Sequence, residues 1–199
     1  MMGASDLAIA CGRNSMPGLA HGLATAPWSF GGAGAEGLEG GAVSAAGGRG
    51  GGRIRVQGSA WLDLLDNPVV DANGEQPKDW VAATGEKVLA GAGAGGSVQI
   101  RAGEVFGTGQ VLAQGASGYR YYAGGGGGGG RIALLASSGI SPSVAFSVGG
   151  GWSYIDDRHG AAGTLFKEVA GRSELVVDAE NAAPKSSGYS PLPRTPWPQ

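Results

Sequence analysis

The sequence predicts a mostly-β, glycine-rich solenoid of about four irregular two-strand units. Three observations predict it. Glycine supplies 42 of the 199 residues, about three times its ordinary share, and each glycine costs a helix about 1 kcal/mol against alanine. A phrase of glycines followed by alternating aliphatic residues recurs along the chain. Apolar residues make up 42% of the composition and cluster in short runs, enough to supply a buried core, so the glycines do not imply disorder.

Residues 1–30 lack the recurring phrase and read as a non-repeating N-terminal cap or arm, and the repeat region spans residues 31–183. The phrase appears as Gly51-Gly52-Arg53-Ile54-Arg55-Val56, as Gly95-Gly96-Ser97-Val98-Gln99-Ile100 and as Gly129-Gly130-Arg131-Ile132-Ala133-Leu134. A looser copy is Ala162-Gly163-Thr164-Leu165-Phe166. Taking Arg53, Ser97, Arg131 and Thr164 as equivalent gives offsets of 44, 34 and 33 residues, an uneven period that places insertions in the earlier units. Period-two alternation is the signature of a strand with one buried face. Ile54 and Val56, Val98 and Ile100, Ile132 and Leu134 therefore face a core, with Arg53, Arg55, Gln99 and Arg131 on the opposite face.

A second phrase follows each of the first: Val70-Asp71-Ala72-Asn73-Gly74, Val111-Leu112-Ala113-Gln114-Gly115, Ala145-Phe146-Ser147-Val148-Gly149, and Leu175-Val176-Val177-Asp178 as a fourth copy. Two short strands cannot bury their own apolar face, so neighbouring units must stack. The glycines beside each strand suit corners that need positive φ or close backbone approach. On that pattern the run Gly124–Gly130 is an ordered corner or wall, not a loose linker. Ser59–Leu65 reads either as a short helical turn or as another strand. Residues 184–199 form a tail with Pro191, Pro193, Pro196 and Pro198, which excludes a central strand and favours an extended arm or linker.

Fourteen basic against sixteen acidic residues leave a net charge of −2, which offers no footprint for nucleic acid. No apolar run approaches the roughly 20 residues of a membrane span. Cys11 is the only cysteine, so neither an internal disulfide nor a cysteine zinc site is expected. No signal peptide is recognisable, and Leu7–Gly12 is a poor match to a lipoprotein cleavage site.

Motifs with chemistry are few. Gly91-Ala92-Gly93-Ala94-Gly95-Gly96 matches G-x-G-x-x-G but leads into a strand, where a dinucleotide site needs a helix N-terminus. The stretch Trp152–His159 gathers two carboxylates, a guanidinium and an imidazole, the densest chemistry in the chain, and Asp156 and Asp157 are its candidate carboxylates for acid–base work or for a calcium ion. The ordinary reading is a polar loop with no metal and no cofactor. Trp80, Tyr119, Tyr121, Tyr122, Trp152 and Tyr154 all fall between strand phrases. Stacked units would bring these inserts to one aromatic edge, suited to sugar rings or to a protein partner, or else would use them to shield the ends of the stack.

The phrases Gly-Gly-Arg-Ile-Arg-Val, Gly-Gly-Ser-Val-Gln-Ile and Gly-Gly-Gly-Arg-Ile-Ala-Leu, with Gly160–Phe166 and Glu174–Asp178, cover about residues 31–182. This pattern resembles the glycine-rich β-helix or β-solenoid repeat regions of large extracellular surface proteins, adhesin-like or filament-forming. The resemblance implies a parallel β-helix, an extracellular or cell-surface location and a structural or adhesive role, and it transfers no catalytic residue. The expectation is thus a non-enzymatic subunit or segment of a filament, surface layer or appendage that self-associates. The alternatives are a carbohydrate-binding adhesin module and a β-helical polysaccharide lyase or hydrolase acting through Asp156 and Asp157.

Overall fold

A computed structural model describes residues 22–39, 42–78, 90–118, 124–153 and 159–178. Among them there is no helix, and strands dominate. They are β1 (Gly37–Glu39), β2 (Ala42–Ala45), β3 (Arg53–Gln57), β4 (Trp61–Leu64), β5 (Val69–Asp71), β6 (Ser97–Gly107), β7 (Gln110–Leu112), β8 (Arg131–Ile140), β9 (Ala145–Ser147), β10 (Gly163–Val169) and β11 (Arg172–Asp178). Ser59–Leu65 resolves as a strand, since β4 continues the line of β3 along β6.

Three sheets form and none closes. The main sheet runs in the order β11-β10-β8-β6-β3, with β4 also on β6; a second has the order β5-β7-β9, and β1 and β2 form a hairpin. The main sheet is parallel from β3 to β10, with Arg53 beside Ser97, Ser97 beside Arg131, and Arg131 beside Thr164. Those are the four residues that the sequence marks as equivalent. Strand order equals chain order, so each unit is laid directly on the one before it.

The core lies between the main sheet and β5-β7-β9. Ile54, Val98, Ile132 and Leu165 form one row, and Val56, Ile100 and Leu134 form the next. Val70, Val111 and Phe146 face them from the second sheet. Val98, Ile100, Ile132 and Leu134 are completely buried, and each side chain contributes about 1.5–3 kcal/mol by leaving water. Along the second sheet, Asn73 Oδ1 accepts from the Gln114 N–H at 2.6 Å, and Gln114 Nε2 donates to Ser147 Oγ at 2.6 Å. Polar side chains thereby link three successive layers.

The glycine segments are ordered walls. The N–H groups of Gly91 and Ala94 donate to Ala35 and Gly32, those of Ala92 and Gly95 to Gly125 and Gly128, and those of Gly93 and Gly96 to Glu75 and Ala72. Successive donors thus point in three directions, and each neighbour is met every third residue. That is the period of a polyproline II helix, which has no internal hydrogen bonds and must find its partners outside itself. Positive φ is not the reason for these glycines: among described glycines only Gly22, Gly107 and Gly171 have it. Close approach is the reason. A Cβ on Gly127 would overlap the Gly93 carbonyl, and one on Gly93 would overlap the Arg49 carbonyl.

Two parts of the repeat reading are corrected. In the third copy of the second phrase Phe146, not Ala145, stands beside Val111, so the copy is displaced by one residue. The proposed fourth copy, Leu175–Asp178, does not stack on β9. It belongs to β11, which turns back antiparallel along β10, with Lys167 beside Glu174. The tight turn has positive φ at both Ala170 and Gly171, as a two-residue hairpin with right-handed twist requires. The reversal ends the parallel series.

Candidate functional site

Of the candidate contact residues, Trp152 lies in a described segment. It stands at the far end of a glycine wall and is exposed. Its N–H donates to Ser117 Oγ at 3.2 Å, and its carbonyl accepts from the Gly118 N–H at 2.8 Å. Trp80, Tyr119, Tyr121, Tyr122 and Tyr154 lie outside the described residues, as do Asp156 and Asp157. Among the described residues no group of three or more His, Cys, Asp or Glu side chains converges as a metal site would require.

His159 serves the wall. It is buried, and its Nδ1 accepts the Ser153 N–H at 3.0 Å. The Ser153 hydroxyl donates to the Gly124 carbonyl at 3.0 Å. The imidazole packs tilted against the Trp152 ring with centroids 6.1 Å apart. The ring therefore accepts a backbone donor that no water reaches. Replacing His159 by alanine strands that donor, and the expected cost is about 1–3 kcal/mol, measurable as a lower urea midpoint with unchanged slope. An unchanged midpoint contradicts this role.

The G-x-G-x-x-G segment offers no phosphate cradle. Every N–H from Gly91 to Gly96 already donates to a neighbouring segment, and the strand β6 follows where a helix would be needed.

Two surface features carry polar chemistry. The first is a shallow groove of about 530 Å³ across the outer face of the main sheet, bordered by Gln57, Ser59, Arg101, Ser137 and Glu168 over a floor of glycine and alanine. Arg101 and Glu168 sit on either side of Leu135, since Arg101 pairs with Leu135 and Leu135 with Glu168. Strand spacing therefore separates their Cα atoms by roughly 10 Å. The second is an aromatic cluster. The Arg53 guanidinium lies 4.0 Å from the Trp28 ring centroid and 4.9 Å from that of Phe30, and the Arg55 guanidinium is 5.8 Å from Trp28. Ser29 fixes this segment over the outer face. Its carbonyl accepts from Ser97 Oγ at 2.7 Å and its hydroxyl accepts from Arg131 Nη1 at 3.3 Å. The alternation placed the arginines on an outward face, but nothing in it marked Trp28 and Phe30 as their cover. The only available signal was Trp-x-Phe upstream of an arginine-bearing strand.

No protein-family model, curated protein or solved structure matches the chain. Whatever role is assigned rests on the residues themselves.

Proposed function

We propose that the chain is a structural module of an extracellular or cell-surface assembly, built as a glycine-rich parallel β-solenoid of irregular two-strand layers closed by the β10–β11 hairpin. The observation that carries this reading is the unbroken register from Arg53 through Ser97 and Arg131 to Thr164, with glycine walls hydrogen-bonded in three directions. Such a stack is a stiff rod segment, because every layer is fastened to the next by backbone bonds and by a continuous apolar row. Electron microscopy of the native material at near-neutral pH, with antibody-gold labelling, tests it. Label on filaments, a surface layer or an appendage is the expected result. Label confined to the cell interior rules the reading out.

A second reading, carbohydrate binding, draws on the outer groove. Gln57, Arg101 and Glu168 offer planar amide, guanidinium and carboxylate groups of the kind that pair with sugar hydroxyls. On this reading a glycan panel shows a ligand whose binding is lost in Arg101→Ala and Glu168→Ala. No retained ligand, or binding indifferent to both changes, removes it.

A further inference from the structure

The two ends of the stack are finished differently. At the β11 end the face of the strand that turns toward the core side carries Arg172, Glu174 and Asp178 around a single apolar residue, Val176, since their β10 partners Val169, Lys167, Gly163 and Leu165 alternate with the outward Phe166 and Glu168. Lys167 and Glu174 approach to 3.8 Å. Charges turned inward on an edge strand are a known means of refusing a further strand. The β3–β4 end has no such protection. Its core-facing residues are Ile54, Val56, Leu62 and Leu64, and Trp61 and Leu65 beside them are 63% and 64% exposed. Among the described residues no strand pairs with the free side of β3 or β4.

Two residues say what can fit there. In later layers Gly93, Gly127 and Gly160 occupy one equivalent position, each so close to the previous layer that a Cβ would overlap its carbonyl. The first layer has Arg49 at that point, so a further complete layer of the same kind cannot be laid on the wall. Gly52 is different. Gly96 and Gly130, which follow it in register, are each pressed against the carbonyl of the layer before, whereas a Cβ on Gly52 would meet open space. The wall side is closed and the strand side is open.

We infer that the β3–β4 edge pairs antiparallel with the same edge of a second copy of this chain, about a two-fold axis at Gly58. The register follows from three constraints. The Ser97 N–H donates to the Gly52 carbonyl and the Gly58 N–H donates to Arg101, so the even-numbered backbone groups of this edge face β6. The Glu104 and Thr108 N–H groups likewise donate to Ala60 and Leu64. The odd-numbered groups face the open side, and antiparallel pairing must match odd with odd to exchange hydrogen bonds. The same parity keeps Ile54 and Leu62 on the core side and Arg53, Arg55, Trp61 and Asp63 outside. Of the registers left, the one that overlaps residues 52–64 in full sets Arg53 opposite Asp63, Ile54 opposite Leu62, and Arg55 opposite Trp61.

The pattern is complementary to itself. Arg53 falls opposite Asp63 and Arg55 opposite Trp61, twice over by symmetry, with both guanidiniums also resting against Trp28 of their own chain. The two-fold arrangement also avoids Arg49, since each wall then lies beyond the far end of the other copy's edge. A head-to-tail continuation would drive a wall onto it.

Sedimentation equilibrium of the full chain is the test. The expected species is a dimer of twice the 19.6 kDa chain mass. Arg53→Asp and Asp63→Arg each place like charges opposite each other and are expected to weaken the dimer about tenfold or more. The double variant R53D/D63R is expected to recover most of the loss. Trp61→Lys, at an exposed position, supplies an independent variant that sets lysine against Arg55 and weakens the dimer similarly. Thermal unfolding of each variant separates a lost interface from a lost fold. A wild-type chain that sediments as a monomer overturns the inference, and so does a dimer indifferent to single reversals or a double variant as weak as the singles. The inference stands on the edge alone, so labelling inside the cell would defeat the extracellular reading and leave the dimer untouched.

Discussion

Replacing Gly127 by alanine is expected to remove at least about 3 kcal/mol of stability, a large share of what a domain of this size has. The added Cβ has nowhere to go. It would overlap the Gly93 carbonyl and crowd the Ala94 amide, both of which are backbone and neither of which can swing aside as a side chain end does. Relief requires the seven-glycine segment to move away from residues 91–96. That motion breaks the bonds from Ala92 to Gly125, from Gly95 to Gly128 and from Gly127 to Ala116, each a buried group that then has no partner. The adjacent Gly128 is the control. A Cβ there meets nothing within reach and its φ is not positive, so Gly128→Ala is expected within about 0.5 kcal/mol of wild type, or slightly stabilising because the unfolded chain loses freedom. Urea unfolding of the pair checks both. Equal effects at the two positions would show that the wall is not close-packed as described.

The second large effect lies in the core. Ile100 and Leu134 are neighbours in one apolar row and are wholly buried. Truncating either to alanine is expected to cost about 2–5 kcal/mol, from lost transfer energy and from the cavity left between two sheets. Ile54 heads the adjacent row but is only partly buried, so Ile54→Ala is expected to cost roughly 1 kcal/mol. A gradient from the first layer to the middle layers is the prediction, read as denaturation midpoints at constant slope. Similar losses at Ile54 and Ile100 would mean that the first layer is as covered as the interior.

The parallel register was legible because the alternation of Ile54-Val56, Val98-Ile100 and Ile132-Leu134 is tied to glycines at a fixed distance before it. Side-chain pattern and backbone requirement pointed to one alignment, and the strands pair on it. The second phrase was harder. Val111-Leu112 and Ala145-Phe146 are short and lack an equally strict glycine marker, so a one-residue displacement is invisible until Phe146 is seen beside Val111. Leu175–Asp178 was misread for a different reason. Its alternation marks a strand without saying which sheet it joins, and the signal that decides is the turn at Ala170-Gly171 two residues upstream of Ser173. His159 had a readable identity and an unreadable role, because its partner is a backbone N–H, and the sequence does not show backbone donors. The aromatic edge remains an expectation beyond Trp152, since its other members lie outside the described residues.

The three-way bonding of the walls has a spectroscopic consequence. Residues 91–96 and 124–130 would contribute neither a helical nor a sheet signal to far-ultraviolet circular dichroism. They would add the weak negative band that extended, left-handed backbone shares with unfolded chains. The native protein should thus look partly denatured by that method while the amides of residues 91–96 resist exchange with deuterium as strongly as those of the central strands, because they open only when the whole stack does.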